Sequence, residues 1–151
     1  VVVVRSAAAL DRYGPDFAYS HFASFPGPVT AAVLSAGAVG GLLLARVPPG
    51  RRLLLRLRPA GSGPSAEQRA KSWFRVRFVG EGGGRRVVTE VRGGDPGYDE
   101  TAVMLAEAAT CMAVDDLSPT SGQVTTAVAM GPVLRRRLQR RGITFEVLEK
   151  S

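Results

Sequence analysis

The chain has 151 residues, 45% of them hydrophobic and 22% charged, which fits one globular domain with a core of its own. Its 20 Lys and Arg outnumber 13 Asp and Glu, so the formal net charge of +7 favours anionic partners. A single Cys, Cys111, excludes an internal disulfide framework, and a single His, His21, excludes a poly-His metal centre.

The first residues, Val1–Val4, have no Met and no basic segment before them, and they lead directly into Arg5. This pattern is not that of a secretory signal peptide. Four consecutive β-branched residues predict the end of a buried strand. Because such a strand opens the chain abruptly, we expect the sequence to be a fragment of a longer protein.

Aromatic and small residues alternate over residues 17–25, which predicts a strand with aromatic side chains on both faces. The Pro26-Gly27-Pro28 sequence ends it. An apolar segment of 17 uncharged residues follows over residues 29–45, at the lower limit of length for a helix that crosses a bilayer.

A basic amphipathic stretch follows the apolar segment, and Pro48-Pro49 separates the two. Residues 29–58 are therefore expected to form a helical excursion that could lie on a membrane surface. The basic stretch contains the arginines Arg46, Arg51, Arg52, Arg56 and Arg58.

A loop is predicted over residues 60–68, with Ser65 capping a short turn through Glu67 and Gln68. Two strands follow, near residues 73–79 and 87–92, and the glycine-rich residues 80–84 between them predict a hairpin. Antiparallel pairing would place Glu90 near Arg75 or Arg77. We expect a surface ion pair there that contributes only about 0 to 1 kcal/mol.

A helix is predicted over residues 98–114, because Asp99 and Glu100 follow a tight turn and favour a helix N-terminus. A second helix, over residues 132–141, starts at Pro132 and ends at Gly142, and a strand follows over residues 143–148. The first helix is expected to bury a stripe of apolar residues in the core: Ala102, Leu105, Ala106, Ala109, Met112 and Ala113.

These elements predict an α+β fold, in which an antiparallel or mixed sheet is covered on one side by the two later helices. The sheet would contain the strands near 17–25, 73–79, 87–92 and 143–148.

Dinucleotide binding requires a glycine-rich loop between a strand and a helix. Residues 80–84 lie between two strands, and the glycines within residues 37–41 follow no strand. The chain is therefore expected to contain no cofactor-binding residue. The turn at residues 93–98 could hold an oxyanion at a helix N-terminus, but its acidic residues favour a capped structural turn.

The candidates for a proton donor are His21, Tyr13 and Tyr98. A hydrogen-bonded histidine and two phenols that fix loops are the structural alternatives. Cys111 is expected to be a buried, inert thiol, and no metal site is expected. The arginines at residues 135–141 are expected to form a solvated face, and nucleic-acid binding is not expected because aromatic residues do not alternate with the arginines.

Three segments together resemble the C-terminal half of the saccharopine dehydrogenase-like oxidoreductases. They are GPSAEQRAKSWFRVRFVGE (63–81), VVTEVRGGDPGYDETAVMLAEAATCMA (87–113) and GQVTTAVAMGPVLRRRLQRRGITFEV (122–147). The likeness is greatest to the trans-acting enoyl reductases that serve polyketide-derived lipid assembly. Where that family tends to read TPA, this chain has Thr125-Thr126-Ala127.

The resemblance implies that residues 1–151 are the substrate and dimerisation domain of a two-part enzyme. An N-terminal domain, outside this sequence, would bind NADP or NAD, and the parent protein would reduce the double bond of an apolar or thioester substrate. The fragment alone would be inactive, and it would pair with its own N-terminal domain and with a second copy as a homodimer. The resemblance implies a cytoplasmic protein.

The competing hypothesis is a non-catalytic module that binds lipid or a membrane surface through residues 29–58. Its arginines would meet anionic head groups, and the protein would then be peripheral to the membrane. Neither hypothesis specifies the substrate.

Overall fold

The computed structural model describes residues 1–57, 61 and 63–151, and in these residues the chain is α+β. The predicted Arg58 and part of the predicted 60–68 loop lie outside the described residues. The chain divides into two compact units, residues 20–63 and residues 1–19 with 64–151. The elements in chain order are α1 (Val2–Ala8), a 3₁₀ turn (Asp11–Tyr13), α2 (Pro28–Arg46), α3 (Pro48–Leu57), α4 (Ala66–Ala70), β1 (Phe74–Gly82), β2 (Arg85–Gly93), α5 (Asp99–Val114), α6 (Thr126–Ala129), α7 (Gly131–Arg140) and β3 (Thr144–Lys150).

A three-stranded antiparallel sheet in the order β1-β2-β3 lies in the unit formed by residues 1–19 and 64–151. The predicted hairpin is confirmed: β1 and β2 are joined through Gly83 and Gly84, whose φ angles of 57° and 72° suit glycine. In the register, Arg77 lies opposite Glu90, which in turn lies opposite Glu146 on β3.

The two faces of the sheet differ in chemistry, because side chains alternate along each strand. The register places these residues on what we call the polar face: Arg75, Arg77, Glu90, Arg92, Thr144 and Glu146, with Val79 and Val88 on the same face towards the hairpin. It places these residues on what we call the apolar face: Phe74, Val76, Phe78, Val87, Val91, Phe145 and Val147. Phe78 and Val147 on the apolar face are exposed, whereas Glu90 on the polar face is buried.

The predicted strand over residues 17–25 is wrong, since the structure has no strand in that segment. Alternation of aromatic and small residues favours a strand only where a neighbouring strand accepts its hydrogen bonds, and the three-stranded sheet is formed without it. The strand predicted at Val1–Val4 is also wrong. Val2–Ala8 is a helix, with the Ser6 hydroxyl 2.7 Å from that of Thr125.

Helices α5 and α7 pack on one another, and α7 also contacts the start of β3. The predicted core stripe on α5 is wrong: Leu105 is 71% exposed and Met112 is 67% exposed. The opposite stripe faces α7, with Glu107 and Cys111 buried. An alanine-rich helix offers apolar residues on more than one side, so hydrophobic spacing does not decide which side is buried. Charge pairing with α7 decides it here.

The C-terminal elements follow the predicted pattern. Pro132 lies at the start of α7, and Leu138 is the buried residue of that helix. Gly142 ends the helical segment with a φ of 97°, in the left-handed region that glycine favours. Ile143, 2% exposed, comes directly before β3. At the other end of this unit, the Ser65 hydroxyl caps α4 by accepting the N–H of Gln68, as predicted, in a reciprocal capping box.

The unit formed by residues 20–63 contains α2 and α3, which confirms a helical excursion with a break before Pro48. The two helices approach closely at Gly50, where a Cβ would collide with the backbone oxygen of Leu44. Among the residues that the structure describes, one helix, α2, is long and apolar enough to cross a membrane, by length and composition alone. Core helices and signal sequences meet the same criterion.

Candidate functional site

An open cavity of about 390 Å³ lies where β1 begins and β2 ends. Its lining residues come from the start of β1, the end of β2 and the region where α7 ends and β3 starts. They are residues 73–75, 92–94, 142, 144 and 146. Trp73 and Phe74 supply apolar surface, whereas Arg75, Arg92 and Glu146 supply charge. The cavity therefore offers both charged groups and an aromatic surface to a ligand.

Glu90 is at the centre of the polar face beside this cavity, and its side chain has no exposed area. Arg77 donates two hydrogen bonds to Oε2 of Glu90, at 3.2 Å from Nε and 2.9 Å from Nη2. Arg92 donates from Nε to Oε1. The Nε of Arg75 lies 3.8 Å from Oε1, close enough for charge attraction but too far for a hydrogen bond.

The charge state of Glu90 follows from these contacts. Burial by itself would raise the pKa of this carboxyl, but hydrogen bonds from Arg77 and Arg92 and the nearby charge of Arg75 hold it below its usual value. Glu90 is therefore an anion over the physiological pH range. The prediction that Glu90 pairs with Arg77 is confirmed, but the expectation of a weak surface pair is wrong because the carboxylate is buried.

Arg75 is positioned from a second side. Its guanidinium lies over the ring of Trp73, 5.3 Å from the ring centroid. A cation over an indole face is attracted by the ring quadrupole. About half of the Arg75 side chain is exposed, and Arg75 lines the cavity.

A second charged network joins α5 to α7. Arg137 donates to both oxygens of Asp115, at 2.6 and 2.9 Å, and to Glu107 at 3.0 Å. Arg141 donates to the other oxygen of Glu107 at 2.5 Å. The predicted solvated arginine face is therefore wrong at Arg137, whose side chain is only 15% exposed. This network holds two helices together and lines no part of the cavity.

The pKa values in the helix network follow its pairing. Hydrogen bonds from Arg137 lower the pKa of Asp115 to about 2, and hydrogen bonds from Arg141 and Arg137 lower that of Glu107. Burial and the neighbouring Asp115 raise the pKa of the Cys111 thiol. Cys111 is thus a buried neutral thiol, as predicted, and not a nucleophile.

The N-terminus of α5 is occupied by the protein's own carboxylates. Asp95 accepts the N–H of Tyr98 at 2.7 Å and that of Asp99 at 3.2 Å, while Glu100 accepts the N–H of Gly94 at 2.9 Å. The capped structural turn predicted for residues 93–98 is confirmed, because the groups that would hold an external anion already have partners.

The structure places the three predicted proton donors in different settings. Tyr13 ends the 3₁₀ turn, 44% exposed, with its ring 5.1 Å from that of Phe17. Tyr98 precedes α5 and is exposed, and neither tyrosine lines the cavity. His21 belongs to the other unit, in an exposed segment without regular structure. Their catalytic role stays a prediction.

Sequence reasoning missed the burial of Glu90, although it paired Glu90 with Arg77, and it missed the network around Glu107. A signal for one was present: Glu107, Cys111 and Asp115 recur at intervals of four and so share one helix face. Glu90 gave a weaker signal, a lone acid in a strand whose predicted partner carries Arg75 and Arg77. Among the residues that the structure describes, no group of three or more His, Cys, Asp or Glu side chains could hold a metal ion.

The chain is similar to trans-acting enoyl reductases of mycobacteria along nearly its whole length. A Mycobacterium tuberculosis relative with a provisional trans-acting enoyl reductase name is 36% identical over 159 aligned positions, which cover 96% of this chain. A trans-acting enoyl reductase of Mycobacterium ulcerans is 33% identical over 94% of the chain.

The chain spans only 37–38% of the length of these relatives. No protein-family profile matches the chain, and no solved structure matches it. The likeness therefore rests on whole-length sequence similarity to part of larger proteins.

Proposed function

We propose that this chain is the substrate-binding part of an enoyl reductase of the saccharopine dehydrogenase-like type. The observation that carries the proposal is the 36% identity over 96% of the chain to a protein with a trans-acting enoyl reductase name. The whole protein would reduce the carbon–carbon double bond of a lipid or polyketide-derived thioester. This chain alone would be inactive, and a homodimer is the proposed assembly.

The nicotinamide cofactor, NADP or NAD, is proposed to bind outside this chain. The described residues do not fit a dinucleotide: the glycines of residues 80–84 form a hairpin between two strands, and Asp95 caps the N-terminus of α5. A pyrophosphate needs free N–H groups at a strand-to-helix turn, which neither segment offers. The contribution of this chain would be to bind the substrate and to supply the proton that the α-carbon takes up when the double bond is reduced.

A chimera tests the proposal directly. The segment of the M. tuberculosis relative that matches this chain is replaced by residues 1–151, and oxidation of reduced nicotinamide is measured with a trans-2-enoyl thioester of N-acetylcysteamine. We expect substrate-dependent oxidation in the chimera and none with residues 1–151 alone. A chimera that melts cooperatively but is inactive, while the unaltered relative is active, contradicts the proposal.

The same chimera tests the proton donors. Tyr13→Phe and Tyr98→Phe remove a phenolic proton and His21→Gln removes the titratable imidazole, each with little change of shape, and Phe22→Leu, at an exposed aromatic residue next to His21, is the control. Loss of a general acid lowers the rate by roughly 10²–10⁴-fold, so we expect one of the three variants to show such a loss in kcat. Unchanged kcat in all three removes these residues from the mechanism.

A second candidate function is favoured by the unit of residues 20–63. No residue of α2 is buried, and α3 is an amphipathic helix that carries Arg51, Arg52 and Arg56 beside four leucines. A helix of this type binds at the surface of an anionic membrane. Flotation with phosphatidylglycerol vesicles tests this: replacement of Arg51, Arg52 and Arg56 by Gln should abolish binding, whereas Arg135→Gln with Arg136→Gln should not. Equal flotation of both variants rules the function out.

A further inference from the structure

We propose that Arg75 and Arg92, beside Trp73, form a binding site for the phosphate group of a small organic ligand in the cavity at the end of the sheet. The proposal does not rest on the reductase function, because it requires only the geometry of the polar face. It assigns a ligand class to a cavity to which the reductase proposal gives no role.

The first argument is that Glu90 does not need all three arginines. Two N–H groups of Arg77 reach its Oε2, and Nε of Arg92 reaches its Oε1. Each carboxylate oxygen therefore has a charged donor before Arg75 is considered. Within the described part of the chain, Arg75 donates no hydrogen bond, since its Nε stays 3.8 Å from Glu90.

The second argument is that Arg75 is nevertheless held in place. Its guanidinium lies 5.3 Å from the centroid of the Trp73 ring, and the charge of Glu90, 3.8 Å from its Nε, also attracts it. An arginine on an exposed strand normally extends into water and moves freely. A guanidinium that is attracted by both a ring and a carboxylate, with its five donors unused, is prepared for a ligand with several acceptor oxygens.

The third argument is the charge balance, which favours phosphate over a carboxylate. The three guanidiniums of the polar face carry +3, and buried Glu90 offsets one of these charges. Glu146 also lines the cavity, but it is exposed and therefore screened by water. The remaining positive charge of between +1 and +2 suits a phosphate monoester, which carries about −1.5 to −2 at neutral pH.

The other lining residues define the rest of the ligand. Glu146 is an acceptor for an N–H or O–H group, and the Thr144 hydroxyl either donates or accepts. Trp73 offers an exposed apolar surface next to the arginines. The site therefore suits a phosphate joined to an organic portion with a hydrogen-bond donor, and inorganic phosphate should bind more weakly than such a ligand.

The protein contains its own reporter, because Trp73 is its single tryptophan. Titration of residues 1–151 with inorganic phosphate at constant ionic strength should change Trp73 fluorescence in a saturable way. Acetate is the carboxylate probe and should produce a much smaller change. If acetate saturates the signal at the same concentration as phosphate, the assignment to phosphate is wrong.

Three variants test the residues. Arg75→Gln should weaken phosphate binding by roughly tenfold or more, the effect expected when a charge-assisted donor is lost. Arg85→Gln, an exposed arginine at the far end of the hairpin, is the matched control and should leave binding unchanged. Glu146→Gln removes a like charge from the cavity and should strengthen binding by about two- to fivefold.

Stronger phosphate binding by Glu146→Gln would indicate a binding site, because a merely structural cluster gives no reason for the phosphate affinity to rise. Arg75→Lys keeps the charge without the planar fork, so it provides a folded second variant if Arg75→Gln does not fold. Equal phosphate affinities for Arg75→Lys, Arg85→Gln and the unaltered chain overturn the proposal, as does a fluorescence change that never saturates. Failure here would leave the enoyl reductase activity of the chimera unaffected, so the two proposals are tested separately.

Discussion

At the scale of single residues, the deepest burial belongs to side chains that connect elements. Ile143 lies between the end of α7 and the start of β3, and its N–H donates to Leu138 at 3.2 Å. Cys111 and Glu90 are buried to a similar degree. By contrast, many apolar residues predicted to form the core are exposed, so a few well-placed residues carry much of the packing.

Ile143→Ala tests that conclusion. Removing a fully buried isoleucine side chain leaves a cavity, and we expect the free energy of unfolding to fall by about 2–5 kcal/mol. The control is Val147→Ala, further along β3 on the apolar face. Because Val147 is 65% exposed, this substitution should change the free energy of unfolding by no more than about 0.5 kcal/mol. Urea unfolding followed by circular dichroism measures both. Similar losses in the two variants would show that Ile143 is not a core residue.

At the scale of elements, the sequence predicted most of what is local. The hairpin, the helix cap at Ser65, the capped turn at residues 93–98 and the position of the last strand each follow from turn residues or from alternation within about ten residues. The failures concern contacts between elements: in the described part of the chain residues 17–25 join no sheet, and α5 buries Glu107 instead of Leu105. The arginine partners of Glu107 lie 30 and 34 residues away, which no local pattern reveals.

The β1–β2 hairpin provides the prediction at this scale. Gly84→Ala places a side chain at a φ of 72°, where L-residues are strained by roughly 1–2 kcal/mol, so the hairpin should be destabilised by about that amount. Gly80→Ala is the matched control, because its Cβ would meet only the Val87 oxygen, at 3.9 Å. That control should be neutral or stabilising by about 0.4–1 kcal/mol. Thermal melts rank the two variants, and the opposite ranking would contradict the turn geometry.

At the scale of the whole molecule, buried carboxylates bonded to arginine set the response to acid. The pKa values of Glu90, Glu107 and Asp115 are all lower in the fold than their ordinary values, so the folded state binds fewer protons than the unfolded chain. The stability that these groups contribute is complete above pH 5 or so. This stability is lost progressively as the pH falls through the pKa values that the three carboxyls have in the folded state, down to about 2 for Asp115.

We therefore expect the urea midpoint to be nearly constant between about pH 5 and pH 7 and to fall steeply between about pH 4 and pH 2. Asp115→Asn removes the group with the lowest pKa and should flatten the lowest part of this profile. A carboxyl carbon NMR titration of Asp115 gives the pKa independently. A midpoint near pH 4 in that titration would show that the pairing with Arg137 is absent in solution.

The candidate site, like the fold, combines residues that are close in the sequence with residues that only the pairing of distant strands brings together. The strand predicted near residues 73–79 contains Trp73, Arg75 and Arg77, and the pairing with Glu90 follows from the hairpin. The cavity also needs Gly142, Thr144 and Glu146, which reach it only through the β2–β3 register. That register contains an irregularity between Val88 and Thr89, which hydrophobic alternation does not predict.

The exposed side of α5 has a practical consequence for anyone who prepares this protein. Leu105 and Met112 are exposed on α5, whose opposite side is bound to α7 by ionic contacts. Hydrophilic replacements at these two positions should therefore leave the melting temperature unchanged. The same replacements should reduce self-association during concentration, which light scattering would reveal. Yield and solubility would then be adjustable without touching the cavity or the charged network.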